Sequence, residues 1–277
     1  MRTERFHTPG PLVVDVQVPA GRVELFSVDG EETTVELRPL RDNDASREAV
    51  EEALVELREE GARRRVVVDV ERRTFFGITF EVNREVGVTV RAPHGADVEV
   101  KVASADVATT GRFGSGDIKT ASGDVAVDGL DGDARIKTAS GDVAVRSVRG
   151  SAELQAASGD IAVQEVGGPA RVRSASGDVA IRDAGAGVSV NTASGDVRVE
   201  AVAQGRVELK SASGDLWVGV REGSRVWVDA RSISGDASSD LDLGGDAGEA
   251  DEGPLVEIDA ASMSGDIRIA RAAAKQA

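Results

Sequence analysis

One nine-residue phrase, KTASGDVAV, most constrains how this chain can fold. It begins at Lys119 and recurs letter for letter at Lys137, 18 residues later. The tripeptide Ser-Gly-Asp inside it occurs nine times in the 277 residues, and from Ser122 to Ser194 every step is 18 residues. Self-similarity at a fixed short period indicates a stack of equivalent structural units, each covering the apolar face of the next.

Apolar residues alternate within each repeat, and the phase of the alternation changes at the Ser-Gly-Asp. Around Gly141, Ile136 and Thr138 share one parity, whereas Val143 and Val145 share the other. Period-two alternation is typical of a strand with one buried face, so a change of phase means that the chain bends while Val stays inside. Each unit therefore reads as strand, corner, strand, corner. Stacked units predict an all-β fold, a β-solenoid with coils about 4.8 Å apart.

Composition and charge exclude several classes of function. Aromatic residues are 3% of the chain, so its apolar side chains are mostly small. Cys is absent, which excludes thiolate chemistry and disulfides. The net charge of −16 argues against a nucleic-acid partner and against electrostatic docking on anionic lipid. The polar start, MRTERFHTPG, lacks the apolar stretch of a signal peptide, and no run of about 18 apolar residues predicts a membrane span. We expect a cytoplasmic protein without direct membrane insertion.

The chain divides by pattern into three parts. Residues 1–97 alternate irregularly and predict a β-rich N-terminal capping segment with one short helix over 43–53, N-capped by Asp44 or Ser46. Residues 98–270 form the repeat array, with an acidic loop inserted at 238–253, after which LVEIDAASMSGDIRI resumes the pattern and is expected to close the array. Residues 271–277 predict a tail.

The Ser-Gly-Asp repeat predicts a structural corner. Gly accepts a positive φ without steric cost, and Ser and Asp side chains can bond to backbone N–H groups left exposed at a bend. The expected corner residues are Ser122, Gly123, Ser140, Gly141, Ser158, Gly159, Ser176, Gly177, Ser194 and Gly195.

A calcium site is the alternative interpretation of the same repeat, because glycine-rich nonapeptide repeats with a regular Asp bind calcium between coils. Neighbouring carboxylates about 4.8 Å apart repel by about 1 kcal/mol even in water, and a cation would relieve this. The second half of each unit carries neither the Asp nor the glycines of such repeats, which disfavours this alternative. The column would consist of Asp124, Asp142, Asp160, Asp178, Asp196 and Asp215.

Outward positions of the repeat suggest a surface for a protein partner. Between the two inward residues of successive coils stands an Ala, which would form a flat stripe, and Trp217 continues the same column. Trp227 also has outward parity. Packing of the N-terminal segment or the acidic loop against this stripe is the alternative. The candidate partner surface comprises Ala126, Ala144, Ala162, Ala180, Trp217 and Trp227.

No pattern predicts catalysis or a cofactor. The only histidines, His7 and His94, lie outside any ligand-spaced cluster, and nine equivalent Ser-Gly-Asp copies do not suit a single active site. The phenylalanine-rich stretch TFFGITF (74–80) predicts core of the N-terminal segment, with a partner-binding edge as the alternative.

With the repeats laid out, the chain resembles the bacterial adhesin-like β-strand-repeat family of unknown function, grouped with the toastrack domains. The TASGDV and SASGDV corners at 18-residue spacing, the opening PGPLVVDVQVPAGRVEL and the closing SMSGDIRI carry the resemblance. It implies a β-solenoid-like fold without known catalysis. It also implies a link to envelope stress, because relatives are often attached to, or encoded near, envelope-stress membrane proteins.

Three functions follow as hypotheses. The first is a non-enzymatic interaction scaffold whose protein partner is a membrane-associated envelope-stress component. The second is a self-assembling structural solenoid, which cap-like ends disfavour because assembly through the ends needs open ends. The third is a calcium-dependent surface adhesin, which the polar N-terminus and the single Asp per repeat disfavour. The sequence leaves the oligomeric state open.

Overall fold

A computed structural model describes residues 1–70, 74–75, 78–79, 84–241 and 253–273. The chain forms two compact units, Met1–Asp142 and Val143–Ala277. Both are built mainly from parallel strands connected by corners, with a single α-helix in the described part of the chain. The predicted all-β class and the predicted β-solenoid are confirmed.

The first unit is assembled around two long strands. Its elements are β1 (Arg2–His7), β2 (Leu12–Val28), β3 (Glu32–Pro39), α1 (Asp44–Glu52), β4 (Leu54–Glu60), β5 (Arg63–Asp69), β6 (Thr74–Phe75), β7 (Ile78–Thr79), β8 (Val86–Pro93), β9 (Asp97–Phe113), β10 (Gly116–Ser122), β11 (Val125–Leu130) and β12 (Ala134–Ser140). Strands β2 and β9 pair in parallel along almost their whole length. Each bends partway and so contributes to two ladders of hydrogen-bonded strands.

Each ladder of the first unit continues on both sides of these long strands. One ladder runs β5–β2–β9–β10–β12, and the other runs β8–β2–β9–β11, all in parallel. Antiparallel strands then end the ladders, with β4 against β5 and with β3 and β1 beyond β8. The predicted capping segment thus supplies coil strands as well as antiparallel end strands. Such strands pair with the row of backbone groups that the last parallel strand of each ladder would otherwise leave unpaired.

The helix of the first unit begins one residue later than predicted and has a different N-cap. Asn43, rather than Asp44 or Ser46, caps it: the Asn43 side chain accepts a hydrogen bond from the Ser46 backbone N–H at 2.8 Å. Asn suits this role because its side-chain oxygen satisfies a donor that the first turn leaves unpaired. The apolar residues of the helix, Ala49 and Val50, are buried, so packing stabilises the short helix.

The second unit repeats one coil with little variation. Its strands are β13 (Val143–Val148), β14 (Ala152–Ser158), β15 (Ile161–Val166), β16 (Ala170–Ser176), β17 (Val179–Ala184), β18 (Val188–Ser194), β19 (Val197–Val202), β20 (Gly205–Ser213), β21 (Leu216–Val220), β22 (Arg225–Ser234), β23 (Ala237–Ser239), β24 (Leu255–Ser264) and β25 (Ile267–Arg271). Strands that lead into a Ser-Gly-Asp form the ladder β14–β16–β18–β20–β24–β22. Strands that follow it form the ladder β13–β15–β17–β19–β21–β25–β23.

The order of the last two coils in space differs from their order along the chain. Strands β24 and β25 lie between β20/β21 and β22/β23. The expectation that LVEIDAASMSGDIRI closes the array is therefore wrong, because the coil of β22 and β23 lies outermost. The long connection between β23 and β24 permits this order, since the corner of either coil can stack on the corner between β20 and β21.

Buried and more exposed side chains alternate along most repeat strands, as the parity pattern predicts, whereas β22 and β23 contain no buried residue. Val143 and Val145 are buried with the exposed Ala144 between them, and Leu154 is buried between the half-buried Glu153 and Gln155. The only aromatic among the fully buried large side chains of the described residues is Phe113, at the end of β9. The cores of both units are thus thin and filled by Val, Ile, Leu and Ala.

Several predicted segments lie partly outside the described residues. Most of the acidic loop at 238–253 does, although Ser238 and Ser239 belong to β23. Within 74–80, β6 and β7 pair as a short antiparallel hairpin, and the predicted roles of this stretch lie outside what the structure describes. Residues 274–277 of the tail also lie outside it. No helix in the described part of the chain is long and apolar enough to cross a bilayer.

Candidate functional site

The glycine of each corner meets two separate demands. Gly177 and Gly195 have φ values of 110° and 122°, which L side chains rarely adopt. A Cβ built on Gly195 would lie 2.2 Å from the carbonyl oxygen of Gly177, its counterpart in the neighbouring coil. Gly177 stands in the same relation to Gly159, at 2.3 Å. Glycine is therefore required both by the bend and by the close approach of successive corners.

The aspartate of each corner connects one coil to the next. Oδ1 of Asp178 accepts a hydrogen bond from the backbone N–H of Asp196 at 2.8 Å, and the N–H of Asp178 donates to Oδ1 of Asp160 at 2.8 Å. In the first unit, Asp142 and Asp124 make the same bond at 2.9 Å. The carboxylates therefore satisfy backbone donors that the bend leaves without a strand partner.

Within the second unit, the ladder of carboxylates that includes Asp160, Asp178 and Asp196 continues to the outermost coil. The N–H groups of Asp215, Asp266 and Asp236 donate in turn to the carboxylate of the neighbouring coil at 2.8–2.9 Å. Among the described residues, no group of three or more His, Asp or Glu side chains is arranged to hold a metal ion. One Asp per coil accepts a backbone hydrogen bond from the neighbouring coil, which gives the column a structural role.

Corner serines are exposed, and the hydroxyl that acts at the corner belongs to an earlier residue. Thr192 donates to the carbonyl of Ser194 at 3.1 Å, and Thr138 donates to that of Ser140 at 2.9 Å. Ser174 makes the equivalent bond to Ser176 at 3.0 Å. The recurrence of Thr or Ser two positions before the Ser was the available sequence signal for this bond.

Four of the candidate surface residues form one continuous column in the second unit. The strand register aligns Ala144 with Ala162, Ala162 with Ala180, Ala180 with Arg198 and Arg198 with Trp217. All three alanines are exposed. Ala126 is also exposed but belongs to the first unit, where it pairs with Ala108 of β9.

Beyond the alanines the column contains a stacked pair of side chains, Arg198 and Trp217, and it continues to Arg268 of β25, which aligns with Trp217. The Arg198 guanidinium carbon lies 4.5 Å from the centroid of the Trp217 ring, a cation–π contact. Nε of Arg198 is also 3.4 Å from a carboxylate oxygen of Glu200. A Cβ on Gly219 would lie 2.8 Å from the Trp217 ring, so glycine at 219 leaves room for the indole. The ring thus lies along the outer face of the ladder, with the Arg198 guanidinium stacked on it.

Trp227 does not join this surface. It lies on β22, in the ladder that leads into the corners, whereas Trp217 lies on β21 in the ladder that follows them. Trp227 is 56% exposed and aligns with Glu257 of β24. The candidate surface predicted as one patch is therefore two surfaces on different ladders.

A triad-like contact near His94 was not predicted from the sequence. Ser27 Oγ contacts His94 Nδ1, and His94 Nε2 lies 3.1 Å from Asp29 Oδ1. The Ser27 hydroxyl also lies 2.7 Å from the carbonyl oxygen of Arg112, to which it donates. The Asp29 side chain is fully exposed. The contact joins the end of β2 to the turn after β8.

A charged cluster on the outer face of the first unit also escaped the sequence analysis. Arg65 donates to Asp15 at 3.1 Å and to both carboxylate oxygens of Glu99 at 2.9 and 3.2 Å. The hydrogen bond from Arg65 is the main cause that lowers the pKa of Glu99 below its ordinary value, against the opposing effect of partial burial. The parallel register of β5, β2 and β9 brings these three residues together.

Comparison with known proteins places this geometry in a family. The model of the Toastrack DUF4097 family matches residues 23–220 and 164–270. No curated protein matches the chain in sequence. A crystal structure of a proposed adhesin from Bacteroides fragilis is similar at 12% identity and a TM-score of 0.47, covering 97% of this chain and 96% of that one. A proposed cell adhesion protein from Clostridium sporogenes is similar at 8% identity and a TM-score of 0.29, covering 98% and 99%. Since the family model spans most of the chain, the chain belongs to the Toastrack DUF4097 family.

Proposed function

We propose that this chain is a non-enzymatic scaffold that binds a protein partner along the outer column of the second unit. The observation that carries the proposal is the column Ala144–Ala162–Ala180, which continues into the stacked Arg198 and Trp217. The exposed alanines are short, so a partner can approach this face of the ladder closely. The Trp217 indole beyond the alanines offers the kind of aromatic anchor that dominates many protein interfaces.

The chemistry of the repeats favours binding over catalysis. The aspartates are the most abundant repeated functional groups, and one carboxylate oxygen of each accepts a hydrogen bond from the neighbouring coil. Ser27, His94 and Asp29 lie at an exposed turn with the serine proton directed to a carbonyl. A rigid array of strands with equivalent corners supports extended recognition, as in other repeat proteins.

The partner we propose is a membrane-associated envelope-stress component, met in the cytoplasm. This choice follows the family resemblance rather than any contact in the structure. The acidic surface of the chain, with a net charge of −16, favours a partner with a basic contact region.

Site-specific photo-crosslinking in the source cell tests the proposal. A photoreactive residue in place of Ala162 should capture a defined partner, whereas the same residue at Arg173, exposed on the other ladder, should not. Trp217→Ala should keep the native circular dichroism spectrum and abolish the capture at 162. Equal capture at 162 and 173 would refute the proposed surface. Loss of the folded spectrum in Trp217→Ala would instead assign the column to internal packing.

A further inference from the structure

The outermost coil of the second unit has an incompletely covered interior. Its inward residues Val226 and Val228 are only half-buried. Their register partners in β24, Val256 and Ile258, are completely buried at 0% exposure. The difference arises because β24 has a strand on each side, whereas β22 pairs only with β24 among the described residues.

The backbone of β22 also presents unused hydrogen-bonding groups. The N–H of Arg225 donates to the carbonyl of Pro254 at 3.0 Å, on the side of β24. Because successive N–H and C=O groups of a strand point to alternate sides, those of Val226, Val228, Ala230 and Ser232 point away from β24. Within the described part of the chain no strand meets this edge. An edge of this kind is a template for pairing with another strand.

We propose that this edge pairs with the same edge of a second copy, antiparallel and about a two-fold axis at Ala230. A two-fold contact uses the same patch on both copies, so it closes at a dimer and does not extend into a fibre. The proposal is independent of the partner surface on the other ladder.

The hydrogen-bonding groups limit the possible registers. In an antiparallel pair, residues whose N–H and C=O groups point to the partner face residues of the same kind, and residues whose groups point away face each other as well. The two residues of a facing pair therefore differ by an even number, so the axis must pass through a residue and not between two. An axis at Asp229 or Arg231 would place that residue against its own copy. An axis at Val228 would place Arg225 against Arg231. Each of these registers opposes like charges.

The register centred on Ala230 is complementary along its length. It places Asp229 opposite Arg231 twice, and it places Trp227 opposite Ile233 twice. Trp227 and Ile233 are 56% and 81% exposed, and cross-strand pairing would cover both. A register centred on Trp227 also matches charges, but it overlaps only residues 225–229 within β22.

Charge exchange across the axis provides the test. Light scattering over a concentration series should show wild-type chain passing from monomer to dimer. Asp229→Arg and Arg231→Asp should each weaken the dimer by about 100-fold or more, because each opposes like charges at two places. An equimolar mixture of the two variants should regain the dimer, because every Arg then faces an Asp. Glu165→Arg, an exposed change of the same charge on β15, should dimerise like wild type.

Amide exchange gives a second, residue-specific readout. The amides of Val226, Val228, Ala230 and Ser232 should gain protection as concentration rises, whereas those of Trp227 and Asp229 should already be protected. A wild-type chain that remains monomeric at all concentrations would overturn the proposal and indicate that another segment or another partner covers the edge. A dimer that both single variants retain, or that the mixture fails to restore, would also overturn it.

Discussion

The close approach of successive corners makes a quantitative prediction for Gly195→Ala. A methyl group at 195 would lie 2.2 Å from the Gly177 carbonyl oxygen, where Cβ contacts below 3.0 Å essentially never occur. Relieving the clash must separate two coils at their corner. That movement stretches the bonds from Asp196 N–H to Asp178 Oδ1, 2.8 Å, and from Val179 N–H to the Asp196 carbonyl, 2.9 Å.

The expected loss has two parts. A positive φ costs an alanine about 1–2 kcal/mol, and weakening two hydrogen bonds adds roughly 0.5–1.5 kcal/mol for each. Gly223→Ala is the matched control, because Gly223 has a φ of 79° and a Cβ there would meet no atom within 4 Å. We therefore expect Gly195→Ala to reduce the free energy of unfolding by about 3 kcal/mol, and Gly223→Ala by about 1–2 kcal/mol.

Urea unfolding followed by circular dichroism measures the two losses. Amide exchange at Val179 and Asp196 locates the effect, which matters because a solenoid need not unfold as a single unit. Faster exchange at these two amides should accompany Gly195→Ala and not Gly223→Ala. A loss in Gly195→Ala no larger than that in Gly223→Ala would refute the reasoning, since the strain would then come from φ alone.

Three further predictions concern the carboxylates and the core. In urea, the free energy of unfolding of Asp178→Asn should lie within about 0.5 kcal/mol of wild type, because the amide keeps an acceptor for the Asp196 N–H. Asp178→Ala should instead lose about 1 kcal/mol. Equal losses in the two variants would contradict the hydrogen bond. Because the pKa of Glu99 is lowered in the fold, its ion pair stabilises above the ordinary glutamate pKa and is lost as pH falls through the lowered value. Wild type should therefore exceed Glu99→Gln in melting temperature at pH 7 but not in strong acid, and a constant difference would exclude this linkage. Phe113→Ala should cost about 3–5 kcal/mol in urea unfolding, because the ring is completely buried; a loss below about 1 kcal/mol would show that the core closes over the gap.

Local rules of the sequence were sufficient to predict the coil. Period-two alternation and its change of phase at Ser-Gly-Asp indicate strands, corners and inward residues, and the structure has all three. The helix was predicted over 43–53 and is observed over Asp44–Glu52, although its N-cap is Asn43 and neither of the two predicted residues. These features depend on contacts within one coil or between identical neighbours. Such contacts can be predicted from a repeat because every unit shows the same pattern.

Features that depend on which coils meet were beyond the sequence. The corners at Ser234 and Ser264 are locally equivalent, so nothing in them shows that β24 stacks beneath β22. Likewise, the Asp178 carboxylate bonds to Asp196, 18 residues away, where a local bend contact was expected. One error was avoidable: Trp217 follows a Ser-Gly-Asp and Trp227 precedes the next, which assigns them to different ladders.

Repetition itself limits where specific recognition can occur. A partner lying across Ala144, Ala162 and Ala180 would find the same contacts after a shift of one coil, about 4.8 Å, because the alanines are equivalent. The stacked Arg198 and Trp217 break this equivalence beyond Ala180. Together with Arg268, which aligns with Trp217 in the next strand of the ladder, they distinguish one register from the next, so the partner's register depends on this part of the column. Replacing Ala162 with a second Trp should therefore create a competing register, whereas removing Trp217 removes the aromatic anchor of the column.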